Sequence, residues 1–391
     1  MRVNDRPIYL DNAASTQVDP RVIESMLPYL NRVYGNPSSL HSAGREAKEA
    51  MEKARALIAE CMGAKAEEIV FTSGGTESNN LAVKGIALSR YRPGKHIIIS
   101  AIEHDCVLNA CGWLKTMGFD VDFLPVDQNG IVRINELEKI IRSDTVLVSV
   151  MHANNEIGTI QPIQEIGSIC KAHRILFHSD ASQSFGKIPF DVNTLNLDLA
   201  SVNSHKIYGP KGVGALFIRK GIRITPLLHG GGHEQGLRSS TENIPGIVGF
   251  ARAADLCRTE LEPENRRLTC LRDKIIDTIL GTIPVAYLNG HRHKRLPNHV
   301  NVGFHGLEGE AIKLLLKLDE KGIEVSAGSA CSSNDAENKP SHVLTAIGLN
   351  PVQARGAIRI TLGRFTTDEE VDSFLDILMT VIKELKPIAS I

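Results

Sequence analysis

Two charged side chains in this sequence stand where charge is costly. Asp180 follows the apolar run Ile175-Leu-Phe177 in His178-Ser-Asp180-Ala-Ser-Gln183. Lys206 follows Leu199-Ala-Ser-Val202 in Ser204-His-Lys206-Ile-Tyr-Gly-Pro-Lys-Gly212. A carboxylate at the end of a buried strand is unfavourable unless it finds a partner. Taken alone, Asp180 reads equally well as the cap of a following helix, and Lys206 as a surface lysine. Taken together they supply what pyridoxal 5′-phosphate requires. A lysine forms a Schiff base, and an aspartate keeps the pyridine nitrogen protonated so that the ring acts as an electron sink.

Four further polar clusters stand near them in pattern. Thr72-Ser-Gly-Gly-Thr-Glu-Ser78 places glycines between an apolar run and a helical stretch, a backbone arrangement that cradles a phosphate. It lacks the Lys-Ser/Thr ending of a nucleotide-binding P-loop. His104, in Ala101-Ile-Glu-His-Asp105, can stack on a ring and move protons near neutral pH. Its bland alternative is a histidine bonded to neighbouring backbone. The amides of His152-Ala-Asn-Asn-Glu-Ile-Gly158 can aim a donor at a ring substituent. The last cluster is Ser326-Ala-Gly-Ser-Ala-Cys331-Ser-Ser-Asn-Asp335. Its small, turn-forming residues predict an exposed loop, and an exposed cysteine is explained by a nucleophilic thiolate.

The elements that must position these groups follow from periodicity. Ile69-Val-Phe71, His96-Ile-Ile-Ile-Ser100, Thr145-Val-Leu-Val-Ser-Val150, Ile175-Leu-Phe177, Leu199-Ala-Ser-Val202 and Gly214-Ala-Leu-Phe-Ile218 are short apolar runs, most of them separated by helical patterns. This alternation predicts an α/β fold with a mainly parallel sheet covered by helices on both faces. Ala43, Ala47, Ala50, Ala54, Leu57 and Cys61 share one helical stripe, and Val371, Phe374, Leu375, Leu378, Ile382 and Leu385 another; both read as core. From about residue 255 the pattern changes to a long polar helix, Glu260 to Leu280, then mixed strands and helices. The expected organisation is a large domain over 15–255 and a smaller α+β domain over 256–391 joined by residues 1–14, the small domain carrying the cysteine loop.

Composition bounds the class. The 391 residues carry a net charge of −1, with 42% hydrophobic and 23% charged side chains, ordinary globular usage that gives no electrostatic case for nucleic acid or an anionic membrane. No apolar run reaches membrane-spanning length, and the N-terminus has no signal-like core. Seven scattered cysteines without a CxxC pair argue against a disulfide framework or a closed zinc site. A cytoplasmic protein is expected. The run Gly290-His-Arg-His-Lys-Arg295 reads as a solvated basic loop.

The combination SHKIYGPKG, HGGGHE and SGSACSS, with Tyr9-Leu-Asp-Asn-Ala-Ala14, Gly35-Asn-Pro-Ser-Ser39 and Leu362-Gly-Arg-Phe365, resembles the cysteine desulfurases of the nitrogen-fixation and iron–sulfur-cluster type. These belong to the class V aminotransferase group of fold type I pyridoxal-phosphate enzymes, and the resemblance runs nearly end to end. It implies that Lys206 carries the cofactor and Asp180 pairs with the ring nitrogen. Gln183, helped by Asn155, meets the ring oxygen, and His104 stacks and shuttles protons. Gly75, Thr76, His205 and Asn203 hold the phosphate; many relatives have Ser where Asn203 stands. Thr241 reaches the phosphate of a partner subunit in a homodimer. Arg359, with Asn155, binds the carboxylate of L-cysteine, and Cys331 takes its sulfur as a persulfide, leaving L-alanine. The long loop after Cys331 points to direct delivery of sulfur to an iron–sulfur scaffold or another acceptor protein, with Cys331 the candidate for a transient iron–sulfur ligand. The alternatives are a selenocysteine lyase, another class V aminotransferase, or a non-catalytic cluster-assembly scaffold.

Overall fold

A computed structural model describes residues 6–91, 94–327 and 340–385. In chain order the elements are β1 (Ile8–Tyr9), α1 (Pro20–Asn31), α2 (Ser42–Met62), β2 (Ile69–Thr72), α3 (Gly75–Ala87), β3 (His96–Ser100), α4 (Asp105–Thr116), β4 (Asp120–Leu124), α5 (Ile134–Ile140), β5 (Thr145–Ser149), α6 (Ile163–Ala172), β6 (Leu176–Asp180), β7 (Leu199–Asn203) and β8 (Gly214–Ile218). The chain continues through α7 (Ile244–Thr259), α8 (Leu261–Thr282), β9 (Ala286–Leu288), β10 (His299–Phe304), α9 (Ala311–Glu320), β11 (Ile323–Glu324), α10 (His342–Ala346), α11 (Pro351–Ala354), β12 (Ile358–Thr361) and α12 (Asp368–Leu385).

Local chemistry sets many of the boundaries. Asp19 caps α1 and Pro20 opens it, where its missing N–H costs nothing. Of the α2 stripe, Ala47, Ala50 and Ala54 are buried, with Ile58 beside them, while Ala43, Leu57 and Cys61 are half-buried, and the helix stops at Gly63 in the left-handed conformation, φ 69°. Strands β2, β3, β5, β6, β7 and β8 are buried at every position, the signature of strands covered on both faces, whereas β4 at the sheet edge mixes buried and exposed residues.

The main sheet has the order β2-β8-β7-β6-β5-β3-β4. The five strands β7, β6, β5, β3 and β4 are parallel, and β8 runs antiparallel to both of its neighbours. Strand β2, antiparallel to β8, therefore points the same way as the parallel set. The carboxyl ends of β2, β3, β5, β6 and β7 consequently face one side. Strand β6 also runs further than its apolar residues indicate, through Asp180 rather than stopping at Phe177. The polar residues stay in the sheet because their partners are there: His178 bonds Ser149 Oγ at 2.8 Å and Ser201 Oγ at 3.0 Å, and Ser179 donates to Val150 O at 2.8 Å.

Buried apolar residues form separate cores. Two lie on the faces of the main sheet, and one of these also takes in Val343, Leu344 and Ile347 from α10 and the residue after it. Another lies between α8, α9, α12 and the antiparallel sheet β12-β10-β9, and it includes Ile8 and Leu10 from the N-terminus. The pairing of β1 with β11 and the bridge from Asp11 to Thr361 carry the N-terminal segment from this core toward the main sheet. In the His291–Arg295 run the structure departs from a wholly solvated loop. Arg295 is buried and donates to the carbonyls of His291 and Asn289.

Candidate active site

A cavity of about 210 Å³ opens at the shared carboxyl ends of the strands, and its walls include Gly75, Thr76, His104, Asn155, Asp180, Gln183, Asn203, His205, Lys206 and Arg359. Ten of the twelve residues singled out from the sequence thus meet in one place. Thr241 does not: it is exposed and absent from the wall of its own chain. Cys331 lies outside the described residues. Among the described residues no His, Cys, Asp and Glu cluster could hold a metal.

Asp180 ends β6 and is held from two sides. Asn79 of α3 donates to Oδ2 at 2.7 Å, and the backbone N–H of Ser182 donates to Oδ1 at 2.9 Å. Lys206 follows β7, and its Nζ donates to Ala14 O at 2.7 Å and also to Ala13 O. Gln183 Nε2 donates to the same Ala13 carbonyl at 3.0 Å. The N-terminal Asn-Ala-Ala stretch therefore forms a wall of the cavity.

His104 caps α4, its Nδ1 accepting the backbone N–H of Cys106 at 3.2 Å. Cys106 lines the cavity as well, with Sγ 3.1 Å from both His104 Nδ1 and Asn79 Nδ2. Burial, with Asp180 adding to it, pushes this thiol up to about 12, so it is no nucleophile at neutral pH. Behind His104, Glu103 is fully buried, and burial raises its carboxyl to about 8, Asp180 adding repulsion. Its Oε1 accepts from Ser100 Oγ at 2.6 Å and Met151 N at 2.7 Å, while Oε2 has no hydrogen-bond partner.

Arg359 reaches the cavity from β12. It donates to Asn155 O at 3.0 Å and Asp11 Oδ1 at 2.8 Å, and its buried Nε has no partner. As a cation on the cavity wall, Arg359 is suited to a carboxylate. The opposite end of the cavity suits a phosphate. Gly75 opens α3, and a Cβ there would come within 2.8 Å of Ser182 Oγ and 3.1 Å of Asn203 Nδ2, so only glycine leaves the cradle free. His205 completes this end. Burial, followed by the charges of Lys206, Lys211 and Lys187, lowers its imidazole to about 4, and it is neutral at physiological pH. Arg238 ties the segment bearing Thr241 to the same turn through a 2.8 Å contact with Glu77. A glycine-opened helix start, a buried aspartate and a lysine thus line one cavity, the groups that pyridoxal phosphate chemistry requires.

Sequence reasoning missed Asn79, Asp11, Ala13, Cys106 and Ser182. Asn79 stands inside a helix and had no local signal. Asp11 and Ala13 belong to the quoted Tyr9–Ala14 motif, which carried the resemblance without a role.

The class-V aminotransferase family model matches residues 8–374. The chain is 51% identical over 384 residues to a cysteine desulfurase IscS of Dictyoglomus turgidum, covering 98% of this chain and 96% of that relative. It is likewise 51% identical to a cysteine desulfurase IscS of Methanosarcina thermophila, with 98% of this chain and 93% of the relative covered. A solved structure of a NifS-like protein superposes with a TM-score of 0.90 at 42% identity, covering 97% of this chain and all of the other.

Proposed function

Because the chain belongs to the class-V aminotransferase family, among its cysteine desulfurases, we propose that it converts L-cysteine to L-alanine while an enzyme thiol becomes a persulfide, in the service of iron–sulfur cluster assembly. The observation that carries this reading is the convergence of Asp180, Lys206 and Arg359 on one cavity, with a glycine-opened phosphate cradle at its far end.

Bound pyridoxal phosphate supplies an electron sink for charge that develops at the substrate α-carbon. The protein's own groups do the rest. Gly75, Thr76, Asn203 and His205 would hold the phosphate. Asp180, fixed by Asn79, would keep a proton on the ring nitrogen, and Gln183 would donate to the ring oxygen. Lys206 would hold the cofactor through its amine. Arg359, a cation on the cavity wall, would pair with the substrate carboxylate, and Asn155 lines the wall as well. His104 stands where protons move at the substrate. Cys331, as thiolate, would attack the substrate sulfur; an S–S bond forms, the C–S bonding pair stays with the substrate carbon, and that carbon takes up a proton to become the methyl group of alanine.

The folded unit reads as a large cofactor-binding domain over 15–255 and a small domain over 256–391 with 1–14. A homodimer is supported by α1, whose residues Ile23, Leu27 and Leu30 share a face and are 46%, 53% and 62% exposed. In such a dimer the exposed Thr241 would meet the partner's phosphate. Among the described residues no helix is long and apolar enough to cross a membrane, and a cytoplasmic enzyme handing sulfur to a scaffold or another acceptor protein fits this reading.

The test is to incubate the purified protein with L-cysteine and a reductant and to measure sulfide and alanine together. Equal amounts of both without any keto acid are expected. Alanine formation that requires a keto acid would identify a transaminase instead.

A further inference from the structure

Lys187 is 6% exposed and stands in the run of turns after β6, four residues beyond Gln183. Its Nζ donates to Gln183 Oε1 at 3.3 Å. The titratable groups that act on it are Lys206, Cys257 and Arg359, and it acts in turn on His299 and His205. None of these is a carboxylate, although Lys187 also lines a small cavity with Glu260, Glu264 and Arg364. Burial first, and then the charge of Lys206, lowers its amine to about 7. An amine buried beside two cationic side chains is unfavourable for folding, and the reaction described above does not use it.

Its consequence lies in the amide it touches. The two ends of a glutamine amide have nearly the same shape, and only their partners decide which way it points. Gln183 sits between a group that donates and one that only accepts. Oε1 faces Lys187 Nζ, and Nε2 faces the Ala13 carbonyl at 3.0 Å. Turning the amide over would set N–H against N–H and oxygen against oxygen. Once neutral, the lysine amine keeps N–H donors but gains a lone pair, so its hold on the orientation is firmest while it is charged; the Ala13 carbonyl, which only accepts, favours the same orientation throughout. Ala13 O also receives Lys206 Nζ. A continuous run therefore links Lys187, Gln183, Ala13 and Lys206. Gln183 lines the cavity, whereas Lys187 stands behind it.

We propose that Lys187 is a positioning residue that locks the Gln183 amide with Nε2–H toward the cavity, so that a donor rather than an acceptor meets the ring oxygen of the cofactor. This rests on the reading of Gln183 given above and adds the device that orients it.

The experiment is a spectrophotometric pH titration of the bound cofactor in the holoenzyme, for wild type, Lys187→Met, Lys187→Arg, Gln183→Ala and the double variant Lys187→Met/Gln183→Ala. Cofactor content and thermal unfolding are measured alongside. Losing a donor leaves the ring oxygen less stabilised as an anion, so its proton is held more tightly. Lys187→Met should raise the midpoint by roughly one pH unit, about a tenfold change in proton affinity. The double variant should titrate as Gln183→Ala alone, and Lys187→Arg, which keeps a donor, should stay near wild type. An unshifted Lys187→Met beside a shifted Gln183→Ala overturns this inference alone. So does a Lys187→Met effect that persists undiminished without Gln183, or an Arg variant that shifts as far as Met. A Gln183→Ala midpoint equal to wild type overturns the role of Gln183 itself, and this inference with it.

Discussion

Asn79 donates a 2.7 Å hydrogen bond to the Oδ2 of Asp180, across 101 residues of sequence. Asn79 stands in α3, one turn from the glycine that opens the same helix, so one element fixes both the carboxylate proposed for the ring nitrogen and the backbone proposed for the phosphate. Hydrogen bonds to a carboxylate are worth about 1.5–3 kcal/mol. Asn79→Ala is therefore expected to lower kcat roughly 10- to 100-fold while retaining cofactor, and Asp180→Ala to lose more activity than Asp180→Glu. Turnover and cofactor content measured together check this. Wild-type turnover in Asp180→Ala would reduce Asp180 to a structural cap.

Glu103 gives a pH dependence of stability with a defined sign. Burial raises its carboxyl to about 8 in the fold, from 4.5 when free. The folded state thus binds a proton that the unfolded state has released between those values, and stability falls as pH rises through this window. Glu103→Gln is isosteric and removes the titration. Its stability advantage over wild type should grow from pH 5 to pH 8 in chemical denaturation. An advantage that stays constant with pH would show that Glu103 is ionised in the fold.

The outward face of α1 is the expected seam of the homodimer. Val22 on the same helix is buried in the main core, and Met26 and Tyr29 pack against that core, whereas Ile23, Leu27 and Leu30 face away from it among the described residues. Leu27→Glu would bury a charge in the seam at about 2 kcal/mol or more, weakening association at least roughly thirtyfold. Sedimentation across a concentration series measures it. A protein that is monomeric and fully active before any substitution would exclude a shared site.

Sulfur transfer is expected to separate from cofactor chemistry at Cys331. The cofactor contacts proposed above are made by other side chains. Cys331→Ser should therefore keep its cofactor and its spectral response to L-cysteine while sulfide and persulfide disappear, because a hydroxyl is a poor nucleophile toward sulfur beside a thiolate. Mass spectrometry for an added sulfur atom decides the point. Near-normal alanine production with the added sulfur on Cys61 or Cys106 would move the chemistry to another thiol. The buried environment that raises both thiols, to about 11 and about 12, argues against that outcome.

The strand ends and their polar cargo were legible in the sequence. Each buried strand is a short apolar run, and the residues that follow it are too polar to be buried without purpose. Asp180, Lys206, His104 and the glycine turn could be named from that pattern, and the alternation of runs and helices indicated the layered α/β architecture. What the pattern reports is which face of an element is covered, not what covers it. Asn79 and Lys187 look like ordinary polar residues of a helix and a turn, and Asp11 like part of an N-terminal motif. The order β2-β8-β7-β6 brings α3 beside the end of β6, and the β1–β11 pairing with the bridge to Thr361 brings Asp11 to Arg359. Those meetings span 101 and 348 residues and depend on sheet order, which is set by the packing of the whole chain. Local periodicity carries no record of it, so only the tertiary structure could decide which buried groups orient the catalytic ones.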